Sequence, residues 1–138
     1  MKTVYIASGL KNYREVIALQ RQLEFSGVAP AFDWAERYAN QLSSGFELTV
    51  HRKRALAREM AAGVERADGL LLLMPAKRGA HVEFGIAAGL KKPTAVFSPD
   101  PDDDISFYLL PNVLGVYRDK MEAARALLAE LFNGGGSE

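Results

Sequence analysis

With 138 residues, 49% hydrophobic and 25% charged, the chain can close one globular core, so we expect a single domain over 1–133 and a flexible tail over 134–138. Its 17 basic and 17 acidic residues cancel, which argues against nucleic acid or an anionic membrane as a partner. The lack of cysteine excludes a disulfide framework and a catalytic thiol, and two distant histidines argue against a metal site, so no metal or cofactor is expected. Without a signal peptide or an apolar run of about 20 residues, we expect a cytoplasmic protein.

The first half of the chain alternates short β-rich runs with segments of helical periodicity. The predicted elements are a strand at 4–7, a helix at 13–25, a strand at 28–32, a broken helix or lid at 35–47 and an amphipathic helix at 48–66. Pro30 predicts an edge position for the second strand, because proline lacks the N–H that a central strand must donate. On the helix at 48–66, the residues expected to face inward are Val50, Ala57, Met60, Ala61 and Val64.

The middle of the chain predicts a strand, a helix and a second strand. Residues 69–74 form an apolar run without polar alternation, which is typical of a strand covered on both faces. A loop at 75–79 then leads to a helix that carries Glu83 in its first turn, and residues 94–97 predict the next strand. This succession is the βαβ unit of a parallel sheet.

The remaining residues predict an acidic loop at 98–104, a short helix at 105–110, a strand at 113–116 and a helix at 120–132. Three consecutive aspartates can hold a cation, but the loop has no regular ligand spacing, so a solvated loop is expected. Five strands alternating with helices predict a flavodoxin-like three-layer α/β/α sandwich with a parallel sheet in the order 2-1-3-4-5.

Ligands of such sheets bind beyond the carboxyl ends of the strands, where the loops after strands one, two and three converge. We expect substrate contacts there from Tyr5, Ser8, Gly9, Lys11, Trp34, Arg78 and Gly79. Tyr5 and Trp34 can stack on a base or sugar, although both types are more often core residues. No G-x-G-x-x-G follows a strand and no P-loop motif is present, which argues against dehydrogenases and P-loop enzymes.

Glu83 has two interpretations. A carboxylate in a first turn is held in its charged form by the helix dipole, as a nucleophile or general base must be. The alternative is that Glu83 only caps its own helix, which is the commoner use of such residues.

Three stretches resemble one family: Tyr5-Ile6-Ala7-Ser8, Ala67-Asp68-Gly69, and Arg78-Gly79-Ala80-His81-Val82-Glu83-Phe84-Gly85-Ile86-Ala87 followed by Gly89 to Pro93. They are similar to the nucleoside 2-deoxyribosyltransferase family and the related 2'-deoxynucleoside 5'-phosphate N-hydrolases. In that family the glutamate of G-[TS]-x-x-E-x-G attacks the anomeric carbon of the sugar. The resemblance therefore implies that Glu83 is a nucleophile that forms a glycosyl ester during cleavage or transfer of an N-glycosidic bond.

Release of the base needs a proton donor, and family members have an aspartate on the helix before strand three, where this chain has Met60. The candidates for that acid are Glu59, one residue away, and Asp33. Asp68, at the start of a strand, is expected to be a structural cap.

The resemblance further implies a homo-oligomer, a dimer or tetramer, whose subunits complete each other's sites. Asn112, after the apolar segment 107–110, is a candidate contact with a partner's substrate, or it only turns the chain. A 5'-phosphate is expected to bind Ser8, the Gly9 backbone, Lys11 and Arg14, together with the basic pair Lys77-Arg78. The substrate is thus a small nucleoside or nucleotide; the alternative is a nucleotide-binding or signalling module without turnover.

Overall fold

A computed structural model describes residues 1–45 and 47–133, and the predicted tail lies outside them. The strands are β1 (Lys2–Ser8), β2 (Val28–Pro30), β3 (Gly69–Leu73), β4 (Thr94–Phe97) and β5 (Val113–Tyr117). The α-helices are α1 (Tyr13–Phe25), α2 (Trp34–Ser44), α3 (Val50–Arg66), α4 (Arg78–Gly89) and α5 (Lys120–Asn133). Short 3-10 helices cover Leu10–Asn12, Pro101–Asp103 and Ser106–Leu109.

The strands form one parallel sheet in the order β2-β1-β3-β4-β5, which confirms the predicted topology. β3 lies at its centre, and all five of its residues are buried because helices cover both faces. β2 pairs only with β1, so Pro30 is on an edge strand as expected. The order reverses between β1 and β3, and loops from both strands therefore meet at one carboxyl edge.

The prediction of a broken helix or lid at 35–47 is wrong for most of that stretch. α2 is a continuous helix from Trp34 to Ser44, and Gly45 follows it with a φ of 69°. Asp33 caps its first turn by accepting the N–H of Glu36 at 3.1 Å. A side-chain cap and a left-handed glycine at the other end are enough to define a helix that its mixed composition does not.

The inward face predicted for α3 is only partly correct. Val64 is buried as expected, together with Gly63, but Val50 is 71% exposed and Ala57 is also exposed. The first half of α3 therefore projects past the core, and only its last turns pack on the sheet. Within the described residues, no helix has the length and apolar character needed to cross a bilayer.

The acidic segment between β4 and β5 is exposed and held by its own residues. Asp100 accepts the N–H of Asp102 at 3.0 Å and so caps a 3-10 helix. Asp104 pairs with Arg118 at 2.9 Å, and the hydrogen bond from that guanidinium lowers the pKa of the carboxyl. These contacts are those of a solvated loop.

Candidate active site

Glu83 lies one turn deeper in its helix than the sequence suggested. α4 begins at Arg78, so Glu83 is in the second turn, and no acidic residue occupies the first. The side chain points to the sheet and the residue is only 5% exposed. Capping of α4 is therefore excluded as its role, and so is the expected stabilisation of its charge by the helix end, which fades beyond the first turn.

The hydroxyl of Tyr5 donates a hydrogen bond of 2.6 Å to the Glu83 carboxylate. Tyr5 is in the middle of β1 and is 0% exposed, so its ring is fixed between strand and helix. Burial, and then the nearby carboxylate, raise the pKa of the Tyr5 hydroxyl, which therefore remains a donor. A buried acid at the β1–β3 reversal with one fixed donor is the kind of arrangement found at reaction centres.

Burial raises the pKa of Glu83 from an ordinary 4.5 to about 7, although the hydrogen bond from Tyr5 acts in the opposite direction. Near neutral pH this carboxyl is thus divided between its ionised and protonated forms. An ionised carboxylate here is poorly solvated, which makes it more reactive toward an electrophilic carbon than a carboxylate in water.

The loop after β1 does not offer the phosphate donors expected from the sequence. The Ser8 hydroxyl donates to the carbonyl of Leu73 at 2.9 Å and accepts from the side chain of Asn12. The Gly9 N–H donates to the carbonyl of Pro75 at 2.9 Å. Both donors are thus used to hold the β1 and β3 loops together, while the side chain of Lys11 is exposed to solvent.

The start of α4 is open instead. Among the described residues no side chain caps it, and the first-turn residues Arg78 and Gly79 are exposed, as is Lys77 before them. The backbone N–H groups of a first turn have no acceptor within their own helix. Arg78, Gly79 and Lys77 therefore form a cationic end with free donors at the carboxyl edge.

Asp33 and Trp34, at the start of α2, have structural roles. Trp34 is 4% exposed, and its indole N–H donates to the carbonyl of Ile6 at 2.7 Å, so its ring belongs to the core and has no face for a base. Asp33, besides capping α2, accepts the Gln20 amide at 2.8 Å.

Glu59, the other candidate acid, pairs with Arg37 of α2 at 2.7 Å. The Arg37 guanidinium lies 4.9 Å from the centre of the Phe32 ring. Met60, at the position of the family aspartate, is half-buried. Arg37 thus joins Glu59 to the Phe32 ring, a set of contacts that sequence spacing alone does not predict.

Asn112 lies at the amino edge of the sheet, away from the loops described above. Its side-chain amide donates to the carbonyl of Lys92 at 2.9 Å and to the Thr94 hydroxyl at 3.2 Å. These bonds fix the starts of β4 and β5, which is the turn role weighed against substrate contact.

A second unexpected contact joins α4 to the segment before β5. The Tyr108 hydroxyl and Nε2 of His81 are 2.7 Å apart, and the two rings are stacked at 5.9 Å. Nδ1 of His81 lies 2.8 Å from the carbonyl of Lys77, which requires a proton on Nδ1 and makes Nε2 of the neutral ring an acceptor from Tyr108. Residues 27 apart cannot be paired from sequence spacing alone.

Open grooves line the α2 side of the molecule. One of about 630 Å³ runs along α2, and one of about 350 Å³ lies between α2 and α3. Arg37 and Gln41 line both. Glu83 lines neither of these two grooves.

The chain shares its fold with a solved N-glycosidase. The CMP N-glycosidase BcmB of Clostridium botulinum superimposes with a TM-score of 0.61, over 91% of this chain and 97% of that one, at 16% sequence identity. No protein-family profile matches the chain, and no curated protein sequence matches it. At this identity the likeness establishes the fold, and the chemistry has to be argued from the residues.

Proposed function

We propose that this protein cleaves or transfers the N-glycosidic bond of a nucleoside 5'-monophosphate or nucleoside, with Glu83 as nucleophile. The observation that carries the proposal is the buried Glu83 carboxylate, which receives the Tyr5 hydroxyl at 2.6 Å beside the β1–β3 reversal. The fold shared with a CMP N-glycosidase supports the substrate class, as does the resemblance of residues 78–93 to the deoxyribosyltransferases.

The reaction would proceed through an oxocarbenium-like transition state. The ionised Glu83 attacks the anomeric carbon from the face opposite the base, the bond to the base breaks, and a glycosyl ester forms. Water or a second base then attacks the same carbon and releases Glu83, with net retention. Tyr5 holds the attacking carboxylate in one orientation, which lowers the entropic cost of each attack.

Release of the base needs a proton, and Glu59 is the better supported of the two candidate donors. It lies on α3, one turn before Gly63, and Gly63 packs against the Tyr5 ring. Asp33 is already used by two donors at the start of α2. Glu59→Gln should slow the release of an unactivated base, yet barely affect a sugar that carries a nitrophenolate leaving group, which departs without a proton.

A 5'-phosphate would bind at the open start of α4. Backbone N–H groups of a helix N-terminus bind phosphate well, and here Lys77 and Arg78 add positive charge. We leave Ser8 and Gly9 out of the phosphate site, because the Ser8 hydroxyl and the Gly9 N–H already donate to backbone carbonyls. Lys11, in the 3-10 helix after β1, and Arg14, in the first turn of α1, remain exposed cations.

The protein would act as a homodimer or a tetramer. Phe107 and Leu109 flank the buried Tyr108 and are 62% and 83% exposed, which is unusual for large apolar side chains on a lone domain. Asn112 is bonded within its own chain and is not part of the proposed shared site.

Incubation with a panel of ribo- and deoxyribonucleosides and their 5'-monophosphates, followed by chromatography for free base, tests the proposal. We expect base release from at least one nucleotide and none with Glu83→Ala. Turnover by Glu83→Ala would refute the assignment of the nucleophile. Binding of a nucleotide without base release by the wild-type protein would favour the alternative, a binding or signalling module.

A further inference from the structure

Gly63 stands where a helix would ordinarily avoid glycine. It is the fourteenth of the 17 residues of α3 and is buried. Glycine inside a helix destabilises it relative to alanine, because the unfolded chain has more freedom to lose. Its φ is not in the left-handed region, so the backbone conformation does not require glycine either.

The surroundings of Gly63 supply the reason. A Cβ placed on this residue would lie 2.7 Å from Cβ of Phe32 and 3.1 Å from Cε2 of the Tyr5 ring. Neither neighbour can easily give way, since the Phe32 contact is to an atom next to the backbone. The Tyr5 ring is attached to an interior strand and is fully buried.

The Tyr5 ring is therefore held at both ends. One side touches α3 at Gly63, and the hydroxyl at its tip reaches Glu83 of α4 at 2.6 Å. Because a phenol ring is rigid, a displacement at its side is carried to its hydroxyl. A shift of a few tenths of an ångström would lengthen or misalign a hydrogen bond this short.

We propose that Gly63 is a positioning residue, which lets α3 approach the sheet closely enough for Tyr5 to hold the Glu83 carboxylate. Its catalytic meaning rests on the proposed function, but the contact itself does not. Three elements, α3, β1 and α4, thereby set the orientation of one carboxylate.

The test is a pH titration of the Glu83 carboxyl, monitored by NMR on protein labelled with 13C at the glutamate carboxyls. Glu83→Gln identifies the signal, and the measured quantity is the midpoint of the titration. The Tyr5 bond favours the ionised form, so Tyr5→Phe should raise the midpoint above that of the wild type. Gly63→Ala should raise it in the same direction. When Gly63→Ala is added to Tyr5→Phe, the midpoint should not shift further, because the hydrogen bond from Tyr5 to Glu83 is already lost.

Gly89→Ala is the matched control, because a Cβ added to this α4 glycine would meet no atom of the described residues within 4 Å outside its own helix. It should leave the midpoint unchanged. A folded Gly63→Ala with a wild-type midpoint would overturn the proposal. If Gly63→Ala does not fold, adding Phe32→Gly and Tyr5→Leu removes both groups that the new Cβ would meet, and should restore its folding. Failure to do so would equally overturn the proposal.

The titration needs no substrate, so its outcome is independent of whether the chain is a glycosidase. If the protein does release a base, Gly63→Ala should lower kcat/KM at least tenfold, and the midpoint of its pH profile should move up with that of Tyr5→Phe.

Discussion

At the scale of single residues, the environment of Glu83 carries more information than its place in a motif. The sequence predicted a first-turn acid that the helix would keep ionised, whereas the buried second-turn position raises its pKa to about 7. The two pictures predict different pH behaviour. A freely ionised nucleophile would be active down to about pH 5, and a buried one would not.

We therefore expect kcat/KM to rise with pH and to be half-maximal near the Glu83 pKa of about 7. The sign follows from the role, because only the ionised form attacks and raising the pH increases its fraction. Initial rates of base release from pH 5 to 9 measure the profile. A rate that instead falls with a midpoint near 7 would mean that Glu83 acts as a protonated acid.

Glu83 should also make the protein less stable at high pH. Its folded pKa of about 7 exceeds the ordinary 4.5, so its stabilising contribution is complete below about 4.5 and is lost as the pH rises through about 7. The shift corresponds to about 3 kcal/mol. Glu83→Gln keeps a hydrogen-bond acceptor for Tyr5 but has no charge to bury.

We compare the unfolding free energy of Glu83→Gln with that of the wild type at pH 5 and at pH 8. The difference in favour of the variant should be larger at pH 8, by up to about 3 kcal/mol. Urea denaturation at the two pH values measures this, with Glu59→Gln as the control because Glu59 is on the surface. An equal difference at both pH values would contradict the burial argument.

At the scale of elements, the sheet and its strand order could be predicted from the sequence, whereas the contacts between the loops after β1 and β3 could not. An uninterrupted apolar run at β3 and regular alternation fix a parallel sheet and its order, since chain connections and handedness leave few choices. The roles of Ser8 and Gly9 depend on carbonyls of Leu73 and Pro75, about 65 residues away. The sequence around Ser8 and Gly9 does not indicate which distant carbonyls they will bond.

The start of α4 gives a prediction at this scale. Arg78→Ala should lower kcat/KM for a 5'-monophosphate about tenfold or more, because a charge-assisted contact contributes about 1.5 to 3 kcal/mol. Activity on the matching nucleoside, which lacks the phosphate, should change little. The ratio of the two kcat/KM values is the measurement.

Lys11→Ala is the comparison for that experiment, since Lys11 is on the β1 loop whose Ser8 and Gly9 donors are used. We expect a smaller loss than with Arg78→Ala. Equal kcat/KM for nucleotide and nucleoside in the wild type would remove the phosphate site altogether.

At the scale of the whole molecule, an apolar surface beside α4 is exposed on the single chain. Tyr108 is 2% exposed and bonded to His81, so it ties the Ser106–Leu109 turn to the helix that carries Glu83. Phe107 and Leu109 on either side of it face solvent. Within one turn, Tyr108 therefore packs in the core, whereas Phe107 and Leu109 are exposed and could contact a second copy of the chain.

We expect the wild type to be a dimer or tetramer at micromolar concentration, and Leu109→Lys to shift it toward monomer by placing a charge in the apolar contact. Light scattering coupled to size exclusion gives the mass. Because Leu109 is 83% exposed in the protomer, the substitution should leave the helical content of the protein unchanged.

Phe25→Lys is the matched control for that oligomer experiment, because Phe25 is 94% exposed but lies at the end of α1, far along the chain from the Tyr108 turn. It should not alter the mass. A monomeric wild type, or a Leu109→Lys variant that assembles as the wild type does, would show that the Phe107–Leu109 surface is not where copies meet. Loss of base release together with the loss of assembly would mean that the partner subunit completes the site around Glu83.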